Sequence, residues 1–282
     1  MRRPLASLVV AAGFALACGE SGPPASPTTP PASPPSTAGR FDVTLQGAGV
    51  DIGAVLLRPE IASGVLRAAI VLIHGWQPAG VNGALVLEPR ARTFMDAGYV
   101  VLAISMRGWP PSGGRDDCGL RQPDDVAAAV GWLASQPGVD PDRLAVVGFS
   151  QGGQVALLSA VRGARVRAIV AYYPVTDVAL WKQTTANADI PGYVTSVCEP
   201  GGTTPRSPRL NATAIGAPVL LVHGDMDTRV PTDQSVLMKA ALDTAGRSVT
   251  LFLVPGAQHG FTAAEEATVR PVVDQFLAAS LR

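Results

Sequence analysis

From Ala68 onward the chain repeats one pattern, a short apolar run followed by a stretch long enough for a helix, and this rhythm leaves few folds open. The runs are Ala68–Ile73, Tyr99–Ile104, Leu144–Phe149, Val166–Tyr172, Pro218–Val222 and Val249–Val254. A continuous apolar run without polar alternation predicts a strand buried on both faces, and strands separated by helices pair in parallel. Helices are expected over Glu88–Ala97, from a cap at Asp124 or Asp125 to about Ser135, and over Gln151–Val161, Asp233–Ala245 and Ala263–Leu281. Ahead of them, Phe41–Leu45 and Val50–Leu57 flank Gly47 and Gly49 and predict an antiparallel hairpin. The expected fold class is therefore α/β, a mostly parallel central sheet with helices on both faces and an antiparallel start. Pro174–Ala217, rich in Pro, Gly and Thr and carrying Trp181 and Tyr193, breaks the rhythm and predicts a short irregular cap over the carboxyl ends of the strands.

Composition adds the boundaries. The 282 residues fit one α/β domain, and with 47% hydrophobic against 16% charged residues there is enough apolar surface for a large core. The formal net charge is zero and the arginines are scattered, so no basic stripe suits a nucleic acid. Residues 1–17 read as a signal peptide: Arg2 and Arg3 start it, Leu5–Leu16 is too short to span a bilayer, and Ala15 and Ala17 suit cleavage. An ordinary charged start explains the paired arginines, with twin-arginine export as the other reading. Cys18 follows directly in a context like that of a bacterial lipoprotein, although Ala15 stands where leucine is usual. Residues 18–39, dominated by Pro, Ser, Thr, Ala and Gly, form a tether, and residues 40–282 the folded domain. The expected location is outside the cytoplasm, either secreted or periplasmic or held to a bacterial membrane by lipid on Cys18 alone. In an oxidising compartment Cys118 and Cys198 can pair, and two separate thiols are the other reading. With three histidines and no Cys-x-x-Cys or His-x-x-x-His spacing, no metal or other cofactor is expected.

The chemistry is concentrated in Gly148-Phe149-Ser150-Gln151-Gly152, which joins a buried run to a helix. Glycines allow a sharp turn there and leave the Ser150 hydroxyl exposed at its tip. A serine hydroxyl is a poor nucleophile at neutral pH, so it needs a histidine base, and the base needs an orienting carboxylate. Only His223 and His259 follow Ser150; His223 ends an apolar run directly before the acid-bearing loop, which leaves His259 as the base. For the acid, Asp225 and Asp227 both lie in His223-Gly224-Asp225-Met226-Asp227-Thr228-Arg229-Val230-Pro231.

That segment resembles the acid loop of the dienelactone hydrolase and prolyl oligopeptidase families, serine hydrolases of the α/β-hydrolase fold. The likeness runs over about residues 41–281 and includes Met106-Arg107-Gly108, Pro137-Gly138-Val139-Asp140 and Tyr172-Tyr173-Pro174. It implies that Asp227 is the acid and Asp225 a loop-shaping residue. It also implies an oxyanion hole made by the backbone N–H of Gln151 and, from His74-Gly75-Trp76, that of Trp76. The chain departs from prolyl oligopeptidases in having a short tether where they carry a propeller, and from many dienelactone hydrolases in having serine rather than cysteine as nucleophile. The resulting expectation is hydrolysis of small or medium carboxylic esters through an acyl-enzyme on Ser150, with Tyr173 and Trp181 shaping the pocket. Cleavage of short peptides by an exported peptidase is the alternative within enzymes, and a non-catalytic surface-binding lipoprotein the alternative outside them.

Overall fold

In the computed structural model, which describes residues 37–282, the apolar runs become a single sheet. Its strands are β1 (Gly39–Gln46), β2 (Asp51–Arg58), β3 (Arg67–Ile73), β4 (Val100–Ile104), β5 (Val139–Phe149), β6 (Ala168–Tyr172), β7 (Val219–Gly224) and β8 (Val249–Val254). They lie in the order β1-β2-β4-β3-β5-β6-β7-β8. The hairpin β1–β2 is antiparallel and β2 pairs antiparallel with β4, whereas every later pairing is parallel. Strands β3, β4, β6 and β7 and the Leu144–Phe149 part of β5 are buried along nearly their whole length because helices cover both faces, which explains why they carry no polar alternation. Two apolar layers result, one on each side of the sheet: Val71, Val146 and Ile169 point into one, Ile70, Val147 and Val170 into the other.

The flanking helices are α1 (Gly83–Asp96), α2 (Gln122–Ala134), α3 (Gln151–Val161), α6 (Asp233–Thr244) and α7 (Ala263–Ser280), with α4 (Val178–Thr184) and α5 (Ile190–Tyr193) in the segment between β6 and β7. Several boundaries differ from expectation, each for a local reason. Helix α1 starts five residues before Glu88 because Asn82 Oδ1 accepts from the N–H of Ala84 at 3.0 Å and of Leu85 at 3.2 Å, an N-cap hidden in a polar loop. Helix α2 is capped by neither Asp124 nor Asp125. Asp125 instead turns inward, buried, to accept from Arg107 Nε at 2.5 Å and Nη2 at 2.6 Å and from the N–H of Ala48 at 2.8 Å. A buried carboxylate is tolerated only when paired and fully hydrogen-bonded, and this fork-shaped pair ties the β1–β2 turn to the loop after β4. Gly39, the last residue assigned to the tether, is already in β1. The signal peptide and Cys18 lie outside the described residues.

The segment expected to be irregular is largely helical. Beyond α4 and α5 it contains a π turn at Val194–Cys198 and 3₁₀ turns at Thr204–Arg206 and Pro208–Ala214. Prolines and glycines lie within or just beyond most of these short helices, so the composition reflects short helices rather than coil. A small apolar cluster of Val175, Val178, Ile190, Val194 and Val230 holds this cap together. Trp181 Nε1 and Thr185 Oγ1 both donate to the carbonyl of Arg229 at 2.8 Å and fasten it to the loop after β7.

A disulfide joins Cys118, in the loop between β4 and α2, to Cys198 in the cap, 80 residues apart. Closing a loop of that length restricts the unfolded chain strongly. Replacing both cysteines by serine is expected to cost about 2–5 kcal/mol, read as a lowered denaturant midpoint. A reducing agent should reproduce that loss in the wild type and add nothing in the double variant. Equal midpoints for wild type and variant would show that the bond does not hold the cap.

Candidate active site

Strand register decides which loops can meet. Ile73 at the end of β3 pairs with Gly148 of β5, Phe149 with Tyr172 of β6, Tyr172 with Val222 of β7, and Gly224 with Val254 of β8. The chain leaves β3 toward β4 on one side and returns to β5 on the other, so the crevice at the carboxyl ends of β3 and β5 is where the order reverses. His74-Gly75-Trp76 and Ser150 open onto that crevice from adjacent strands.

Ser150 sits between β5 and α3 with φ 55° and ψ −118°, a conformation unfavourable for a residue with a Cβ. The surrounding glycines impose it. A Cβ on Gly148 would lie 2.1 Å from the carbonyl oxygen of Gly152, and one on Gly152 2.2 Å from that of Ile73. Such close packing drives the turn sharply away from the sheet and lifts the hydroxyl into the crevice.

His259, in the loop after β8, meets that hydroxyl: its Nε2 lies 2.9 Å from Ser150 Oγ. Its Nδ1 lies 2.7 Å from Oδ2 of Asp227 in the loop after β7. A carboxylate only accepts, so Nδ1 carries the proton and Nε2 is left to accept from the serine. The other oxygen of Asp227 accepts from the N–H of Arg229 and Val230, both at 2.9 Å. Burial by itself pushes this carboxyl up, but hydrogen bonds from His223 and His259, the charge of His259 and the Val230 N–H outweigh it and hold Asp227 well below the usual carboxylate range.

The remaining polar residues of the acid loop fall into supporting places. Asp225 Oδ1 accepts from the N–H of Gly256 at 2.6 Å and does not touch His259, so of the two aspartates it is Asp227 that joins the relay. His223 is fully buried, with Nε2 2.8 Å from the carbonyl of Val230 and Nδ1 2.6 Å from Ser235 Oγ. Its Nε2–H also approaches Asp227 Oδ2 at 3.4 Å, the oxygen that meets His259.

A cavity of about 460 Å³ opens in front of Ser150 and His259. Tyr173 forms part of its wall and packs edge-on against the His259 ring at 4.7 Å. Trp181 and Tyr193 enter from the cap, and Trp76 from the loop after β3, with 47% of its surface exposed. Sequence reasoning missed two residues of this wall and one contact behind it. Arg90 of α1 reaches it, paired with Glu266 and stacked 4.8 Å over the Phe149 ring. It lies one helical turn beyond the buried Leu87, so a correct helix start would have placed it on the inward face. Arg229 also lines the cavity, from the acid loop. Asp116 accepts from Tyr193 OH and from Gln151 Nε2, both at 2.8 Å, which links the cap to the residue after Ser150. Burial first, then the Asp116 carboxylate, pushes the Tyr193 phenol up, so it stays protonated and donates. No sequence signal pointed to this last contact, because its partners come from three segments far apart in the chain: the loop between β4 and α2, the start of α3 and the end of α5.

A buried parallel sheet with a serine on a strained strand-to-helix turn, hydrogen-bonded to a histidine from the loop after β8 that is in turn bonded to an aspartate from the loop after β7, defines a serine hydrolase of the α/β-hydrolase fold. Residues 87–279 match the prolyl oligopeptidase family, peptidase family S9, and the chain belongs to it. Among individual proteins it is 27% identical over 208 residues to an uncharacterized peptidase of Bacillus subtilis, covering 70% of this chain and 79% of that one. It is likewise 27% identical over 256 residues to a putative carboxymethylenebutenolidase of Salmonella typhimurium, covering 86% and 85%. In structure it resembles a puromycin-hydrolyzing peptidase of Mycobacterium tuberculosis, with a TM-score of 0.77 at 23% identity over 86% of this chain and 39% of the other. Against an acetyl xylan esterase of a Thermoanaerobacterium species the TM-score is 0.68 at 21% identity, over 89% and 86%. The chain thus spans about two fifths of the mycobacterial peptidase and most of the esterase.

Proposed function

We propose that the protein hydrolyses small or medium carboxylic esters through an acyl-enzyme on Ser150. The observation that carries this reading is the unbroken relay from Ser150 Oγ through His259 to Asp227, with contacts of 2.9 and 2.7 Å, at the wall of a cavity large enough for a modest acyl group. Ser150 Oγ attacks the ester carbonyl carbon while His259 Nε2 takes its proton. The tetrahedral oxyanion is held by the N–H groups of Gln151 and Trp76. Collapse breaks the bond to the alkoxide, which leaves with the proton from His259. Water, deprotonated by the same imidazole, then attacks the acyl carbon, and the carboxylic acid departs as Ser150 regains its proton. Asp227 keeps the imidazole in the required tautomer throughout and stabilises its transient charge.

Support for esters over amides comes from the relatives that the chain matches nearly end to end, among them a putative carboxymethylenebutenolidase and an acetyl xylan esterase. A second reading, cleavage of short peptide amides, is favoured by the family itself and by the Bacillus peptidase. Kinetics with p-nitrophenyl acetate against alanyl and prolyl peptide amides separate them: the ester reading requires turnover of the first and none of the second, and the opposite pattern makes the protein a peptidase. Failure of a fluorophosphonate to label Ser150 in the wild type would instead leave a binding protein without chemistry.

The same reading places the enzyme outside the cytoplasm, with residues 1–17 as signal peptide, 18–39 as tether and 40–282 as catalytic domain, and with lipid on Cys18. It is supported by Arg2, Arg3 and the apolar run before Ala17-Cys18, and by the Cys118–Cys198 disulfide, which persists in oxidising compartments. Mass spectrometry of the mature N-terminus tests it: a diacylglyceryl mass on Cys18 is expected, and an unmodified Cys18 removes the anchor.

A further inference from the structure

We propose that His74 is a positioning residue that aims the second oxyanion donor, by holding the peptide unit between Gly75 and Trp76 with the Trp76 N–H turned toward the reacting carbonyl. The inference rests on the serine-hydrolase reading above and assigns a function to a histidine that stands outside the relay of Ser150, His259 and Asp227.

His74 ends β3 and is fully buried. Its Nε2 lies 2.9 Å from the backbone nitrogen of Met106, and because that N–H can only donate, Nε2 accepts. The ring proton is therefore on Nδ1, which lies 2.6 Å from the carbonyl oxygen of Gly75 and donates to it. Only a neutral imidazole satisfies both contacts, and burial pushes the pKa of His74 down to about 4, which favours that form. In a trans peptide the C=O and N–H point in opposite directions. Drawing the Gly75 oxygen toward the buried ring therefore turns the Trp76 N–H outward.

Two independent features show what the outward direction contains. The Trp76 N–H has no acceptor among the described residues, although Trp76 lines the cavity beside Ser150 and His259. A Cβ on Gly75 would stand 3.1 Å from Ser150 Cβ, so the peptide that His74 holds passes directly against the nucleophile. The same loop is restrained a second time, by the indole N–H of Trp109 donating to the carbonyl of Gln77 at 2.8 Å. Two buried aromatic donors thus take the carbonyls on either side of Trp76 and leave its N–H unused. Space for the imidazole is reserved by Gly83, where a Cβ would fall 2.1 Å from His74 Cδ2, and the Trp109 ring packs edge-on against it at 5.1 Å.

The test compares His74→Leu, which can neither donate nor accept, with His74→Asn, whose amide can donate to Gly75 and accept from Met106. Active sites are counted by fluorophosphonate titration, so unfolded molecules drop out of the rates. Removing an aimed oxyanion donor is expected to lower kcat per titrated site for p-nitrophenyl acetate by ~10²-fold in His74→Leu, with KM within about threefold. Binding of phenylboronic acid, which forms a tetrahedral adduct on Ser150, should weaken in parallel, and His74→Asn should recover most of both. A residue that only packs the core would reduce the number of titratable sites and leave both values unchanged; that result overturns the proposal, as does an asparagine variant no better than leucine. If His74→Leu yields no titratable sites, Gly83→Ala, whose new methyl displaces the ring, is read by the same two measurements, and unchanged values there overturn it. Full activity in Ser150→Ala would overturn the reading of Ser150 as the nucleophile, on which the proposal rests, whatever the His74 variants do.

Discussion

Replacing Ser150 by alanine is expected to lower kcat for p-nitrophenyl acetate by ~10⁶-fold, the scale seen when the nucleophile of a serine relay is lost. Among the described residues the hydroxyl is the one group hydrogen-bonded to His259 Nε2, at 2.9 Å, so none of their side chains stands ready to substitute. Some catalysis above water should survive, because the N–H donors at Gln151 and Trp76 and the cavity remain. The fold should be unaffected. The strained backbone at Ser150 is imposed by the packing of Gly148 and Gly152 rather than by its side chain, so the thermal midpoint is expected to stay within a few degrees. Combining Ser150→Ala with His259→Ala should cost little more than either change alone, since residues acting as one unit are not additive. Additive losses, or a Ser150→Ala variant still turning over within tenfold of wild type, would mean that the chemistry resides elsewhere.

Asp227→Asn carries the second large effect, a fall of ~10⁴-fold in kcat near neutral pH with the geometry preserved. One oxygen of Asp227 accepts two backbone N–H groups at 2.9 Å, and an asparagine will keep its carbonyl there. Its NH₂ group then faces His259 Nδ1 and must donate. The imidazole is forced into the tautomer with its proton on Nε2, where it cannot receive one from Ser150. Asp225→Asn, on the far side of the loop, should change kcat little by comparison. The wild-type carboxylate also contributes to stability in a defined pH window. Because its folded value is depressed, the contribution is fully present above about pH 4, the unfolded value, and is lost as pH falls through the folded one. Acid unfolding should accordingly begin at higher pH in the wild type than in the asparagine variant relative to their neutral stabilities. Equal acid profiles would show that the relay does not hold Asp227 as an anion.

These two expectations draw on different kinds of legibility. Ser150 was readable because its signal is local: a buried run, a turn that only glycines allow, and a helix occupy consecutive residues. The choice of His259 over His223 was readable by elimination, since the chain has three histidines and one of the two after Ser150 closes a strand. The choice of Asp227 over Asp225 was not settled by spacing, because both precede the same helix within the same loop. The coordinates separate them by direction, one carboxylate toward His259 and the other toward Gly256. The α1 boundary failed for the converse reason: Asn82 is a good cap, but a single asparagine in a polar loop does not announce itself until the N–H groups that it satisfies are seen. Asp125 looked like a helix cap because acidic residues favour that position, and buried pairing with Arg107 overrode the local preference.

What the amino-acid order alone determined was the layered α/β architecture and the sharp turn that carries Ser150, and with three histidines in the chain it pointed to His259 as the partner of that serine, because strand burial, glycine turns and helix periodicity act over a few consecutive residues. What only the tertiary structure decided was everything made by residues from distant segments meeting at the strand ends: the disulfide of Cys118 with Cys198, the short helices of the cap, the places of Arg90 and Arg229 in the cavity wall, the contact of Asp116 with Tyr193 and Gln151, and the grip of His74 on the peptide before Trp76. Parallel pairing brings those loops together at a register set by the whole sheet, and a contact between segments that the sheet aligns leaves no periodic trace in either segment.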